Sequence, residues 1–289
     1  MFRGLDYKCH FCSECDGTGC IAELPGMGGV FDNANFMDNV AGWKNVPNTT
    51  TTQIPIRLAP ITGAVENIGY QDERSFYFDI MAAACAANIQ LSLGDGCPDE
   101  KLQFGIAAVK AISKFYPTKK AAVFIKPYPN NRIIERIEWA SDVAEIIGVD
   151  IDSYNIVTMR NKVQLEKKTA EQMRELQKAA CVPFAVKGVF TLQDIEMVEE
   201  LKPDIVVISN HGGRIETERG STADFLIRYG SRLSKCCNQL WVDGGIRCAR
   251  DVAAAASLGA AQVMIGRPFI SALCRGGIKE VVKEAEKFR

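Results

Sequence analysis

The amino-acid sequence predicts a parallel (β/α)8 barrel of the TIM class with a Cys-rich N-terminal extension. Three observations carry this expectation. Eight short apolar runs rich in β-branched residues recur at roughly 30-residue spacing, each the length of a buried strand. Each run is followed by a segment with helical spacing, the alternation that builds a parallel sheet covered by helices. Lys187, His211, Asp243 and Gly266 stand at the end of a run or just after it, where a barrel gathers its functional groups on one face. An open sheet of eight strands is the competing architecture, and the position of these four residues favours the barrel.

The runs are, in order, Ile56 to Ala59, Ile89 to Ser92, Ala122 to Ile125, Gly148 to Ile151, Phe184 to Lys187, Ile205 to Ile208, Leu240 to Asp243 and Val263 to Ile265. Helical spacing is clearest over Arg132 to Ile147 and Thr191 to Leu201. The second of these opens on Thr191-Leu-Gln-Asp194, a threonine cap with an acid three residues on, which is a helix start signal. Residues 1–50 lie outside the repeat and form the extension; residues 51–289 form the barrel. Between Ser153 and Lys168 the chain is polar and without periodicity, as loops that act as lids often are.

Bulk properties narrow the function. A net charge of -1 gives no basis for binding nucleic acid or an anionic membrane surface. No apolar run reaches the length of a spanning helix, and the first residues lack a signal-peptide pattern. A cytoplasmic protein is therefore expected, in which the 11 cysteines are thiols or metal ligands.

The most informative stretch is Ser209-Asn-His-Gly-Gly-Arg214, which follows the sixth run and contains one of only 2 histidines. The glycines let the backbone turn sharply beside the ring. Arg214 brings a rigid cationic fork suited to a carboxylate. A base and an anion clamp at a strand end have the composition of a catalytic loop; a hydrogen-bonded histidine in a glycine turn is the plainer alternative. Asp243-Gly-Gly-Ile-Arg247 and Gly266-Arg267-Pro268 end the seventh and eighth runs. Their backbone N–H groups and arginines fit a phosphate, the site that recurs after those strands in such barrels.

Together with Val186-Lys187-Gly188, these motifs resemble the FMN-dependent α-hydroxy acid oxidases and dehydrogenases, closely from about Pro183 to Leu273 and more weakly over Ile56 to Asp152. The resemblance implies oxidation of a small 2-hydroxy acid to the 2-oxo acid on bound FMN, in a homo-oligomer, with an electron acceptor that no motif specifies. It makes His211 the base, Arg214 the carboxylate clamp, Asp152 the group that orients His211, and Lys187 the cation near flavin N1 and O2. It places Ala59, Pro60, Ile61 and Ser92 on the flavin ring, Asp243 on the ribityl hydroxyls, and Gly245, Arg247, Gly266 and Arg267 on the phosphate. Type-2 isopentenyl diphosphate isomerases share this fold and phosphate site, but the His-Gly-Gly-Arg loop argues against them. A flavin or metal sensor without turnover is the reading from a different class.

The chain departs from the family in three places. Leu24-Pro-Gly-Met-Gly-Gly29 lacks the tyrosine expected there, Leu93-Gly94-Asp95 replaces an aromatic, and Lys126 stands where a glutamine is usual. Cys9-x2-Cys12-x2-Cys15-x4-Cys20 adds four soft ligands that suit zinc or an iron–sulfur cluster, with free or redox-active thiols as the alternative. Clostridial α-hydroxy-acid oxidising proteins have a similar Cys-rich opening. The remaining cysteines are scattered and read mostly as small core residues.

Overall fold

The computed structural model describes residues 34–47, 51–65, 70–155, 162–215 and 218–289. Eight parallel strands form one sheet: β1 (Ile56–Leu58), β2 (Leu91–Gly94), β3 (Ala121–Ile125), β4 (Ala144–Asp150), β5 (Phe184–Val189), β6 (Ile205–Ile208), β7 (Gln239–Asp243) and β8 (Gln262–Ile265). Each of β2 to β8 pairs with its sequence neighbour, and β1 pairs with β8. Leu58 N–H donates to Gln90 O at 2.8 Å and Gln90 N–H to Ile56 O at 3.1 Å, which joins β1 to β2 and closes the circle. The barrel expectation holds, and the open sheet is excluded.

Side chains alternate across the strands and so divide into two sets. Ala122, Phe124, Ile146, Ala185, Ile205, Val207, Trp241 and Met264 form a cluster of their own that fills the barrel. Val123, Ile125, Ile147, Val186 and Val206 point outward and join the larger core under the helices. Those helices are α2 (Glu73–Ala86), α3 (Glu100–Ile112), α4 (Asn130–Ala140), α5 (Ala170–Ala179), α6 (Leu192–Leu201), α7 (Thr222–Leu233), α8 (Ala249–Ser257) and α9 (Arg267–Ala285). The start signal at Thr191 is a full capping box, with the Asp194 N–H donating to Thr191 Oγ1 at 3.1 Å and the Thr191 N–H to Asp194 at 2.9 Å. None of the described helices is long and apolar enough to cross a membrane.

Strand ends shift from the expected runs by one or two residues, and the largest difference lies before β4. The helix predicted over 132–147 ends at Ala140, and β4 starts at Ala144 rather than Gly148. Ile133, Ile137, Ala140, Ala144 and Ile147 keep a helical spacing straight across the break, so periodicity could not mark it. Ser141 and Asp142 end the helix, and Ile147 instead joins the sheet, donating its N–H to Pro183 O at 3.1 Å.

Residues 34–47, counted with the extension in the sequence, carry α1 (Ala34–Asn45), which lies across the C-terminal mouth of the barrel. Asn35, Asn39 and Trp43 recur every fourth residue and form one buried face. Trp43 Nε1–H donates to Gly244 O at 2.6 Å. At the helix end, Arg250 donates to the carbonyls of Trp43 and Lys44 in the last turn, where an α-helix runs short of internal donors, and to that of Val46 just beyond it. Of the long segment after β4, residues 151–155 form a 3-10 turn, and Glu166 N–H is pinned to Pro127 O at 2.9 Å.

Candidate active site

The strand ends deliver a buried ionic cluster. Lys126 follows β3, Asp150 ends β4, Lys187 lies in β5 and Asp243 ends β7. Both lysines bond one carboxylate: Lys126 Nζ lies 2.9 Å from Asp150 Oδ2, and Lys187 Nζ 2.9 Å from Asp150 Oδ1. Lys187 also reaches Ser209 Oγ at 3.3 Å and Asp243 Oδ2 at 3.6 Å. All three charged side chains of the bridge are nearly sealed from solvent, at 7%, 4% and 3% exposure for Lys126, Asp150 and Lys187. His211 completes the cluster, its Nδ1 3.2 Å from Asp152 Oδ1 and 4.0 Å from Asp150 Oδ2.

The loop that presents His211 is built from unusual backbone. His211 has φ +57, a left-handed conformation that few side chains adopt. Asn210 holds the turn by accepting from Gly213 N–H at 2.9 Å, and it forms a reciprocal pair with Asn39 of α1, at 2.8 and 3.1 Å. Gly213 must be glycine, because a Cβ there would lie 2.6 Å from Phe36 N. Arg267 donates to Gly212 O at 2.7 Å and stacks on the Phe36 ring at 4.5 Å. The loops after β6 and β8 are thus joined through α1.

The charges set the protonation states. Burial alone pushes the Asp150 carboxyl up, but Lys126, Lys187 and His211 together outweigh it and hold Asp150 well below the usual carboxylate range. Burial disfavours the Lys187 ammonium, and Asp150, Asp243 and Asp152 overcome this to keep it firmly charged. For His211, burial and then the Lys126 charge depress the ring below its ordinary 6.5; Asp152 and Asp150 offset part of that, and Lys187 adds to it. The ring is therefore neutral at pH 7. With Nδ1 facing a carboxylate, the proton sits on Nδ1, and Nε2 has a free lone pair. Asp150, Asp152 and His211 offer ligand atoms within 4.8 Å of one another, a spacing that suits a cation. Both Asp150 oxygens already carry an ammonium, so the lysines supply that charge.

A cleft at the barrel mouth gathers eleven of the residues expected at the site: Ala59, Pro60, Ile61, Lys187, His211, Arg214, Asp243, Gly245, Arg247, Gly266 and Arg267. Asp152 and Ser92 do not line it. Asp152 stands behind His211 and faces a second cavity of about 530 Å³, bordered by Phe190, Phe225, Tyr229 and Lys168. Ser92 is buried in β2, its hydroxyl without a partner. Asp150 was missed as a site residue, although an acid within the last two residues of a predicted buried strand was a usable signal. The role of α1 had no signal in the sequence. Cys9, Cys12, Cys15 and Cys20 lie outside the described residues. The seven described cysteines are free thiols: Cys85 and Cys236 belong to the core, Cys237 and Cys274 pack against it, and Cys181 is exposed.

Residues 113–289 match the family described as FMN-dependent dehydrogenase. The chain belongs to this family. Within it, the chain is 33% identical over 185 residues to 2-hydroxyacid oxidase 2 of Bos taurus, covering 53% of this chain and 52% of the relative. It is 36% identical over 110 residues to 2-hydroxyacid oxidase 2 of Rattus norvegicus, covering 37% and 31%. With the L-lactate dehydrogenase (cytochrome) of Saccharomyces cerevisiae it shares 34% over 122 residues, covering 40% and 21%. These matches span from about a fifth to about half of each relative's length. A mandelate oxidase variant with (S)-mandelic acid has the same fold, with a TM-score of 0.70 at 20% identity over 94% of this chain and 91% of that one.

The cleft fits the family's cofactor. Asp243 Oδ1 is buried without a protein partner, an acceptor open to a sugar-alcohol hydroxyl. Arg247 and Arg267 flank the glycine turns after β7 and β8, as a phosphate requires. Lys187 would bring a buried positive charge to a flavin ring, which gains negative charge on reduction.

Proposed function

We propose that this chain is an FMN-dependent enzyme that oxidises a small 2-hydroxy acid to the 2-oxo acid. The observation that carries this reading is a neutral histidine, backed by Asp152 at 3.2 Å, in the same cleft as Arg214, Lys187 and the two glycine–arginine turns. Arg214 binds the substrate carboxylate as a charge-assisted fork. His211 accepts a proton from the substrate at Nε2, and its low proton affinity at rest keeps that atom available. Once protonated, the ring is stabilised by Asp152 and Asp150. Conversion of the alcohol to the ketone releases two electrons and two protons; His211 takes one proton, and FMN, when bound, would take the two electrons and the other proton. Asp243, Gly245, Arg247, Gly266 and Arg267 would hold its polar end, while Ala59, Pro60 and Ile61 would border its ring.

Four cysteines spaced as in Cys9, Cys12, Cys15 and Cys20 support zinc or an iron–sulfur cluster as a further cofactor. Iron and zinc analysis of anaerobically purified protein tests that part separately.

The decisive experiment is an anaerobic absorbance titration with lactate, glycolate and longer 2-hydroxy acids. The flavin bands of the wild-type protein bleach with at least one of them. His211→Ala retains the flavin but does not bleach. Bleaching of His211→Ala at a rate near that of the wild type would overturn the assignment of the base.

A further inference from the structure

We infer that Lys126 is a second cation of the flavin site and that it acts with Asp152 as a charge-compensating pair around the Lys187–Asp150 bridge. The inference rests on the FMN reading above. Its starting point is that Lys126 lines the same cleft as Lys187 and His211 and is bonded to Asp150 at 2.9 Å.

The buried charges explain why the site needs it. Around His211 stand three carboxylates, Asp150, Asp152 and Asp243, and they face two ammonium groups, Lys126 and Lys187. Asp95 also borders the cleft, but Arg136 neutralises it at 3.1 Å. With His211 neutral, the cluster carries one excess negative charge. A neutral side chain at position 126, such as the glutamine usual in the family, would leave three carboxylates facing one lysine and make the cleft, which Arg214, Arg247 and Arg267 also line, more negative by one charge. Such charges interact strongly because water is largely excluded. Lys126 is also fixed in place. Its backbone N–H donates to Asp95 Oδ2 at 3.3 Å, and its Nζ is held by Asp150. Held at its backbone and at its Nζ, the side chain is fixed in the site rather than mobile at the surface.

Asp152 is the counterpart. Asp150 has both oxygens engaged by lysine, so Asp152 is the carboxylate left to hold His211. It adds the negative charge that Lys126 offsets. Lys126 is thus a positioning and tuning residue, and its effect must appear without any substrate.

The test uses the flavin-loaded protein and sulfite, an anion that adds to oxidised flavin and leaves its negative charge there, together with the midpoint potential of the bound flavin. Lys126→Gln is expected to retain FMN, weaken sulfite binding roughly tenfold or more, and lower the potential. Asp152→Asn is expected to tighten sulfite binding by a similar factor and raise the potential. The double variant returns to within about threefold of the wild type. If Lys126→Gln does not fold, Asp152→Asn decides, because it leaves the lysine–Asp150–lysine bridge intact. Unchanged sulfite affinity in either folded single variant, or a double variant no closer to the wild type than Lys126→Gln, overturns the inference. A wild-type protein that takes up no FMN overturns the FMN reading and this pair with it. A flavin-loaded protein indifferent to residue 126 overturns only the pair.

Discussion

Gly188 and Asp152 approach so closely that a Cβ on residue 188 would stand 2.5 Å from the Asp152 carboxyl carbon. Gly188 also has φ +96, so no other residue enters that conformation without strain. The β5 backbone therefore leaves the room in which Asp152 reaches His211. Gly188→Ala is expected to displace the carboxylate, lowering stability by about 1–3 kcal/mol and slowing flavin reduction by roughly tenfold or more. Urea unfolding and anaerobic stopped-flow measure the two effects; wild-type values in both would refute this account of the contact.

Asp150 joins Lys126 and Lys187 out of solvent, so its removal leaves two buried ammonium groups sharing no anion. Asp150→Asn should cost about 3–5 kcal/mol, the range for breaking a buried ion pair from one side. Thermal unfolding of the apoprotein reads this without reference to activity. A melting temperature equal to that of the wild type would show that the bridge carries no such energy.

Protonation of His211 sets the acid limb of the pH profile. Burial and Lys126 depress its pKa below 6.5, Lys187 adds to this, and Asp152 and Asp150 work against it, with Asp243 across Lys187. The neutral ring is the base, so the acid limb of flavin reduction is centred below pH 6.5. Lys126→Gln removes a repelling charge and should move that limb upward. The same depression contributes stability that is present above the unfolded pKa of about 6.5 and is lost as pH falls through the folded value. A wild-type acid limb centred above 6.5 would contradict this arrangement.

Asn39 binds Asn210 reciprocally and accepts from the Thr222 N–H at 2.9 Å, all of it buried. Asn39→Ala should lose about 2–3 kcal/mol, because the partners on β6 and α7 are left without bonds. Loosening of the His211 turn should also weaken FMN binding. Equilibrium unfolding and fluorescence titration with FMN report the two consequences independently. An Asn39→Ala protein with an unchanged unfolding midpoint would mean that α1 does not brace the loop.

The sequence by itself determined the barrel and most of the cleft. Strands such as Ile205–Ile208 are short, continuous apolar runs, and each of the glycine–arginine motifs directly follows such a run, so local patterning carried their positions. Local patterning failed where one period ran into another, as at Ala140 to Ala144, and where a residue's role depends on neighbours distant in sequence. Asp150 reads as an ordinary acidic strand end until β3 and β5 each bring a lysine to it. The polar residues of α1 resemble a solvated helix face until Asn39 meets Asn210 and Trp43 meets Gly244, 171 and 201 residues away. Charge balance and loop bracing were decided only by the tertiary structure, because the Coulomb and hydrogen-bond terms that govern them depend on distance in space and on the exclusion of water.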